Sequence, residues 1–246
     1  MRVEDVNPYQ QSGDKAAQVE EMFDSIAPAY DFMNTAMTFG LHRRWRNIAL
    51  KKAIRETGHI GQVLDIATGT GDVAFRIAKL LPEANVTGID LSEGMLKVAR
   101  EKLIKLPLET QNRIAFGKAD CLMLPFHDDR FDLITVAYGV RNFSDLKKGL
   151  REMKRVLSPQ GLLCIIELSN PVGAITSPLY KFYSHHVIPM AGKLVSGDSR
   201  AYSYLPESIA ACPQREEMAD LLRVAGFSEI NWRQLTFGAV TYYLAK

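Results

Sequence analysis

The chain has 246 residues, of which 47% are hydrophobic and 24% are charged, a composition typical of one large soluble domain with an appendage. Its 30 Lys and Arg residues against 28 Asp and Glu residues leave a net charge of +2, which gives no general attraction for nucleic acid. The three cysteines form no C-x-x-C pair or metal-like spacing with histidine, which indicates a reducing compartment and predicts neither a disulfide framework nor a bound metal.

The N-terminal sequence MRVEDVNPYQQSGDK is polar and lacks the apolar core of a signal peptide. No apolar run in the chain approaches the roughly 18 residues that a spanning helix needs. We therefore expect a cytoplasmic protein. The basic cluster of Arg43, Arg44 and Arg46 adds a second expectation, contact with the anionic inner face of the cytoplasmic membrane, although such clusters are more often a solvated helix face.

Helices are expected first along the chain. Residues 18–57 carry apolar side chains at helical spacing, with a break near Pro28 and a second helix that contains Trp45. We assign residues 1–57 to an N-terminal helical extension and residues 58–246 to the main domain.

From Gly61 onward, apolar strands alternate with amphipathic helices. The strands are VLDIA, ANVTGID, RIAFGKAD, FDLITVAY and GLLCIIEL. Continuous Val, Ile and Leu runs are typical of strands buried on both faces of a parallel sheet. The pattern predicts a doubly wound α/β fold, with helix faces that include Leu81, Leu106 and Leu157.

After Ser169 the alternation stops, and an aromatic-rich stretch extends to about residue 212. Ordinary packing over the site is one interpretation of residues 170–212, and a lid that receives an apolar chain is the other. A last helix is expected from Pro213 to Gly226. The segments EINWRQL and AVTYYLA then predict an antiparallel hairpin, which completes a mostly parallel sheet of seven strands.

The segment VLDIATGTGDVA is a strand that enters a glycine-rich loop with the spacing G-x-G-x-x-A. This loop suits two different ligands, a nicotinamide dinucleotide and S-adenosylmethionine. Asp90 ends the second strand, 21 residues after Gly69, where a carboxylate accepts hydrogen bonds from ribose hydroxyls in both classes. Glycine spacing and Asp90 together predict a nucleoside and leave its identity open.

The charges around the loop favour S-adenosylmethionine. Asp65 ends the first strand and Asp72 opens the next helix, so a pyrophosphate would meet two carboxylates, whereas a sulfonium and an ammonium would be attracted. Asp120 ends the third strand, where its side chain suits the adenine amine, and Cys121 follows with its backbone amide. A nicotinamide-dependent oxidoreductase stays the alternative. A nucleic-acid methyltransferase is disfavoured because no N-P-P-Y or P-C motif follows the fourth strand.

Three segments carry a more specific resemblance: YDFMNTAMTFGLHRRW at 30–45, AYGVRNFSD at 137–145 and RVLSPQGLLCIIELS at 155–169. They resemble the quinone-ring C-methyltransferases of menaquinone and ubiquinone synthesis, which belong to the class I S-adenosylmethionine-dependent methyltransferases. The resemblance spans nearly the whole chain and implies a Rossmann-like methyltransferase sheet. It also implies methyl transfer to a ring carbon of a polyprenylated quinol, demethylmenaquinol first and a benzoquinol as the alternative. Ser158, Gln160 and Ala137 depart from the commoner residues of the family.

The resemblance also implies roles for single residues. The donor site takes Gly69, Thr70, Gly71, Asp90, Asp120 and Cys121, to which the charge argument adds Asp65.

The resemblance places Arg141 and Asn142 where the methyl group passes to the acceptor. An arginine there stabilises a developing phenolate or orients a water, although pairing with a surface carboxylate is the plainer alternative. Tyr138 and Tyr30 are candidates for orienting the quinol oxygen, or simple packing aromatics. His42 is the alternative base, because imidazole titrates near neutrality. A homodimer is among the expected assemblies, and neither a metal nor a nucleic-acid partner is expected.

Overall fold

The computed structural model describes residues 2–9, 13–173 and 199–246, and shows a seven-stranded sheet with helices on both faces. The strands are β1 (Gln62–Ile66), β2 (Asn85–Asp90), β3 (Ile114–Lys118), β4 (Phe131–Ala137), β5 (Leu157–Leu168), β6 (Ile230–Leu235) and β7 (Val240–Ala245). The helices are α1 (Lys15–Ile26), α2 (Tyr30–Thr38), α3 (Leu41–Glu56), α4 (Asp72–Leu80), α5 (Glu93–Leu103), α6 (Leu108–Gln111), α7 (Leu146–Val156), α8 (Ser199–Ala211) and α9 (Glu216–Val224).

The strand order is β3-β2-β1-β4-β5-β7-β6. The first five strands pair in parallel, while β7 runs antiparallel between β5 and β6. This arrangement confirms the predicted doubly wound, mostly parallel α/β sheet and its C-terminal hairpin. The order changes direction between β1 and β4, the point at which parallel sheets open a crevice for ligands.

Alternation along the central strands explains why both faces carry helices. Leu64 and Ile134 belong to one apolar layer, with α7, while Val63 and Leu133 belong to the opposite layer, with α3 and α4. Each layer is fully removed from water at these positions. Burial of this kind is the main favourable term in folding, so the sheet is covered on both faces.

Several helix boundaries differ from the sequence predictions. Leu81 and Leu106 lie beyond α4 and α5, because each precedes a proline, which disfavours helical backbone at the residue before it. Leu157 lies in β5, where it pairs with Phe131, and not on α7. The last helix starts at Glu216 and not at Pro213, since Arg215 has a φ of 55° that interrupts a regular helix.

The N-terminal helices pack directly on the main domain. Helix α1 lies against α5, and α3 lies against β5 and β7, where Trp45, Leu50 and Ala53 enter the apolar core. Of the lid expected over 170–212, residues 174–198 lie outside the described residues, and Ser199–Ala211 form α8. In the described parts of the chain, no helix is both long and apolar enough to cross a membrane.

Candidate functional site

Two cavities adjoin at the carboxyl ends of the parallel strands. We name them the strand-end cavity, which lies over β1, β2 and β3, and the apolar cavity, which lies between the N-terminal helices and α8. Their common wall consists of Phe23, Tyr30, Ala67, Gly69, Ala137, Tyr138 and Asn142. A group bound in either cavity therefore contacts some of the same seven residues.

Asp90 is the fixed carboxylate of the strand-end cavity. One carboxylate oxygen accepts a hydrogen bond from the Gly69 amide at 2.8 Å, and the other accepts one from the Ser92 amide at 3.0 Å. Burial raises the pKa of Asp90 above its ordinary value in spite of these bonds. Because each carboxylate oxygen has a second lone pair, Asp90 retains acceptor capacity for a pair of ribose hydroxyls.

Asp120 and Cys121 line the same cavity, as the sequence predicted for one crevice. The Asp120 carboxylate accepts a hydrogen bond from the Leu122 amide at 2.8 Å, which fixes its direction. Cys121 is buried, and burial raises the pKa of its thiol, so the side chain stays neutral. The two residues therefore give this end of the cavity a fixed carboxylate beside a neutral thiol.

Thr70 and Gly71 hold the shape of the glycine-rich loop. The Thr70 hydroxyl donates to the Asp31 carboxylate at 2.6 Å and faces the apolar cavity. Gly71 has a φ of 83°, and a Cβ there would lie 2.8 Å from the Phe75 ring, so no other residue fits without displacement. Gly71 lines neither cavity among the described residues, and its contribution is to the backbone path.

Asp65 lies behind the loop and lines neither of the two cavities. Its carboxylate is 1% exposed and accepts hydrogen bonds from the Thr68 hydroxyl at 2.6 Å and the Thr135 hydroxyl at 2.7 Å. Burial raises the pKa of Asp65 to about 6. This position corrects the expectation of a carboxylate that faces the ligand: Asp65 braces the loop from below.

Asp72 also requires a correction. Its carboxylate lies 2.9 Å from both the Arg46 guanidinium and the Lys102 ammonium. Burial alone would raise the pKa of Asp72, but the two cations outweigh it and lower the pKa. Since Asp72 is neutralised by its partners, the sequence argument that it would repel a phosphate fails.

Two carboxylates that sequence reasoning missed fasten the N-terminal helices to residues beside the cavities. Asp24 on α1 accepts hydrogen bonds from the Ser92 hydroxyl at 2.6 Å and the Gly94 amide at 2.8 Å. Asp31 on α2 binds Thr70 and also pairs with Lys102 at 2.5 Å. These partners lie far along the chain, so no local spacing signals them.

The apolar cavity has a volume of about 680 Å³. Aliphatic and sulfur-containing side chains make up much of its wall, with Met22, Ile26, Met33, Met37, Leu205 and Ile209. Polar and charged side chains also line it, among them Asp31, His42, Arg46, Tyr138 and Arg141. A large cavity that combines apolar side chains with several polar groups suits an apolar molecule that is oriented by its polar end.

Arg141 is buried in the wall of the apolar cavity, where its guanidinium donates to Glu167 at 2.8 Å and to the Tyr138 carbonyl. Burial would lower the pKa of Arg141, but Glu167 outweighs it and raises the pKa, so the group stays charged. Among the described residues, neither the Arg141 Nε nor the Tyr138 hydroxyl has a hydrogen-bond partner. Two buried donors left unpaired in one wall are costly unless a ligand oxygen satisfies them.

Tyr30 and Asn142 lie in the common wall. The Asn142 side-chain oxygen accepts a hydrogen bond from the Tyr204 hydroxyl at 3.1 Å, which ties α8 to this point. The Tyr30 ring packs edge-on against Phe23, with centroids 6.1 Å apart, and burial raises the pKa of its hydroxyl. Both residues are therefore fixed where the contents of the two cavities meet.

His42 lines the apolar cavity but is not part of the common wall. Its Nδ1 lies 2.6 Å from the Thr38 hydroxyl. Burial, together with Arg46 and Arg43, lowers the pKa of His42 to about 4. The imidazole is consequently neutral at pH 7 and is a weak base.

Lys15 and Glu167 are further residues that the sequence did not reveal. Glu167 lies near the end of β5, is 3% exposed and pairs with Arg141. The buried Lys15 ammonium donates to the Arg141 carbonyl at 3.2 Å and to the Val3 carbonyl. Burial lowers the pKa of Lys15 to about 8. Glu167 thus holds the guanidinium of Arg141, and Lys15 holds its backbone carbonyl.

The fold occurs in solved structures of S-adenosylmethionine-dependent methyltransferases. One from Aquifex aeolicus has a TM-score of 0.56 and 24% identity, over 79% of this chain and 87% of that chain. The [4+2]-cyclase SpnF is also similar, with a TM-score of 0.65 and 21% identity, over 91% of this chain and 76% of that chain. Identities this low show the fold alone. The strand-end cavity therefore lies on a fold that S-adenosylmethionine-dependent methyltransferases also have.

The model of the ubiE/COQ5 methyltransferase family matches residues 10–246, and the chain belongs to that family. The demethylmenaquinone methyltransferase of Bacteroides fragilis is 47% identical over 244 residues, which cover 98% of this chain and 97% of the relative. The ubiquinone/menaquinone biosynthesis C-methyltransferase UbiE of Geobacter sulfurreducens is 42% identical over 231 residues, covering 94% of this chain and 88% of the relative. The resemblance found in the sequence is thereby confirmed.

Proposed function

We propose that this protein transfers a methyl group from S-adenosylmethionine to a ring carbon of demethylmenaquinol, a polyprenylated quinol, in menaquinone biosynthesis. The observation that carries the proposal is the pair of unpaired donors, Arg141 Nε and the Tyr138 hydroxyl, in the wall of a large apolar cavity that adjoins a nucleoside site. The names of the relatives that share this chain's full length support the substrate.

The strand-end cavity is the proposed donor site. Asp90 accepts the ribose hydroxyls, Asp120 and the Cys121 amide take the adenine edge, and the backbone at Gly69 approaches the ligand closely. S-adenosylmethionine supplies an electrophilic methyl group. The fit rests on the carboxylate of Asp90, whose direction two backbone amides fix.

The apolar cavity is the proposed acceptor site, with the prenyl tail along its aliphatic wall and the ring at the common wall. Carbon becomes a nucleophile when an adjacent ring hydroxyl loses its proton and electron density moves to the ortho position. The new C–C bond would form as the bond between sulfur and the methyl group breaks, with S-adenosylhomocysteine as the leaving group. Loss of the proton from the methylated ring carbon, together with reprotonation of the oxygen, would restore the aromatic quinol. Arg141 remains protonated and stabilises the phenolate oxygen, while the Tyr138 hydroxyl donates to the same oxygen. Only the reduced ring carries such a hydroxyl, so the quinol is the substrate and the quinone is inert.

The proton is assigned to bulk solvent, where buffer is the final acceptor and water only relays it. A phenolic hydroxyl has a pKa of about 10, whereas burial lowers the pKa of His42 to about 4, so the imidazole does not retain this proton. Tyr30 and Asn142, both in the common wall, orient the ring toward the donor.

The benzoquinol of ubiquinone synthesis is the second candidate acceptor, because UbiE relatives carry both pathway names.

The test incubates purified protein and radiolabelled S-adenosylmethionine with demethylmenaquinol or with a methoxy-polyprenyl-benzoquinol. We expect label on the naphthoquinol ring. Absence of label on both rings, with binding of S-adenosylhomocysteine confirmed by calorimetry, would overturn the proposal. Tight NADH binding without S-adenosylhomocysteine binding would favour the oxidoreductase alternative.

Two features of the cellular context follow as proposals. Because the tail of the acceptor is soluble only in lipid, we place the protein in the cytoplasm at the inner face of the membrane. A homodimer is the assembly we expect, and sedimentation velocity on the pure protein tests it. The proposed chemistry requires no metal and no nucleic acid.

A further inference from the structure

The open edge of the apolar cavity carries two exposed aromatic side chains. Phe39 and Phe237 both line the cavity, yet their side chains are 84% and 82% exposed. Phe39 lies in the turn between α2 and α3, and Phe237 lies in the turn between β6 and β7. Leu41, which is 37% exposed, lies beside Phe39 on the same edge.

Both phenylalanines have left-handed backbone, with φ values of 50° and 55°. This conformation is unfavourable for a bulky non-glycine residue and costs about 1 kcal/mol or more at each position. The Trp45 indole donates to the Thr236 hydroxyl at 2.8 Å, which joins α3 to the turn that carries Phe237. The two aromatic tips are therefore parts of one fixed edge.

Positive charge is concentrated beside these tips. Helix α3 has six Lys and Arg residues and one Glu among 16 residues, whereas the whole chain has a net charge of +2. Arg43 and Arg44 lie in the first turn of α3, directly after Phe39 and Leu41, and both are exposed. Exposed aromatic rings next to arginines match the interfacial layer of an anionic bilayer, which is apolar below and negatively charged above.

We propose that Phe39, Leu41 and Phe237, together with Arg43 and Arg44, form a docking rim that binds an anionic lipid bilayer. The aromatic rings enter the boundary between headgroups and acyl chains, and the arginines bind the headgroup phosphates. The mouth of the apolar cavity then faces the acyl region, so a prenyl tail passes into the cavity without crossing water. The role in tail transfer rests on the proposed function, whereas binding to the bilayer does not.

The test is flotation of the protein, without substrates, on vesicles of phosphatidylglycerol and phosphatidylethanolamine. Loss of a buried aromatic ring corresponds to about tenfold weaker partitioning, so we expect about a hundredfold loss for Phe39→Ser/Phe237→Ser. The matched control is Leu108→Ser/Met123→Ser, which removes two side chains that are 74% and 76% exposed and lie outside both cavities. The control should float like the wild type.

Charge is tested by Arg43→Gln/Arg44→Gln, which should weaken partitioning on anionic vesicles by about tenfold or more and leave binding to neutral vesicles unchanged. This variant should methylate a short-tailed quinol in solution at the wild-type rate.

Equal flotation of the wild type, the Phe39→Ser/Phe237→Ser variant and the control would overturn the docking rim. So would a dimer that dissociates on Phe39→Ser/Phe237→Ser, because the rim would then be an interface between two copies. Loss of methylation with flotation intact would instead count against the proposed function alone.

Discussion

The guanidinium of Arg141 and the carboxylate of Glu167 form an ion pair of 2.8 Å that is almost completely removed from water. The Arg141 amide lies 3.4 Å from the second oxygen of the same carboxylate. The Leu168 amide donates to the first oxygen at 2.8 Å, so the carboxylate is held by backbone as well as by charge. The guanidinium of Arg141, a residue that lines the apolar cavity, is thus held in a single orientation.

Removing one partner of this ion pair should destabilise the protein more, per residue replaced, than removing both partners together. Arg141→Met or Glu167→Met leaves one buried charge without a partner, and we expect each to reduce the free energy of unfolding by about 3 kcal/mol. The double variant should lose clearly less than the sum, because it leaves no orphan charge. Urea denaturation of the four proteins measures this coupling. If the double variant lost as much free energy of unfolding as the two single variants summed, Arg141 and Glu167 would not be energetically coupled, and the ion pair would be contradicted.

Tyr138 should matter for turnover and not for stability. Its hydroxyl has no partner in the described part of the chain, so Tyr138→Phe should change the free energy of unfolding by less than about 0.5 kcal/mol. The loss of one donor to the developing oxyanion should lower kcat about a hundredfold. Tyr243→Phe is the matched control, since the Tyr243 hydroxyl accepts from the Arg215 amide at 2.6 Å, outside both cavities. Tyr243→Phe should lose about 1 kcal/mol of the free energy of unfolding and keep the wild-type kcat. The reverse pattern would refute the assignment.

Asp31 should control the affinity for the donor. Asp31→Asn removes one of the two carboxylate charges that hold Lys102 and weakens the bond to the Thr70 hydroxyl, so the fastening of the loop to α2 is weakened. We expect the Kd for S-adenosylhomocysteine, measured by calorimetry, to rise about tenfold. Asp220→Asn removes an exposed ion pair with Arg223 and should leave the Kd unchanged. An unchanged Kd in Asp31→Asn would show that α2 does not order the loop.

His42 should make the protein less stable in acid. The pKa of His42 is about 4 in the folded protein and about 6.5 in the unfolded chain, so between these values the unfolded state binds more protons. The contribution of His42 is present above pH 6.5 and is lost as the pH falls toward 4. Relative to His42→Gln, which does not titrate, the wild type should lose about 3 kcal/mol of its free energy of unfolding over this range. Parallel stability curves for the two proteins would contradict the burial of His42.

Local patterns in the sequence were sufficient for the sheet and for the convergence of its strand ends. Continuous apolar strands identified a doubly wound fold, and the ends of parallel strands necessarily converge, which brought Gly69, Asp90 and Asp120 to one cavity. Charge was predicted less well. The prediction that Asp72 repels anions was wrong, because its partners Arg46 and Lys102 lie 26 and 30 residues away and leave no signal in the sequence.

The contacts that position the catalytic candidates also could not be predicted from the sequence. Glu167 lies 26 residues from Arg141 and follows a run of buried apolar residues in β5. Lys15 lies 126 residues from Arg141. A buried acid in a buried strand does indicate a partner, since an uncompensated charge would be expelled from the core. The sequence alone does not say which arginine that partner is.

The most direct test of the account is the position of the transferred methyl group. Protein, demethylmenaquinol and S-adenosylmethionine with a carbon-13 methyl group are incubated under reducing conditions, and the product is examined by carbon-13 NMR. We predict a single labelled methyl group bonded to a ring carbon, and no product from the oxidised quinone. A labelled methoxy group, or no transfer by folded protein that binds S-adenosylhomocysteine, would contradict C-methylation of a quinol.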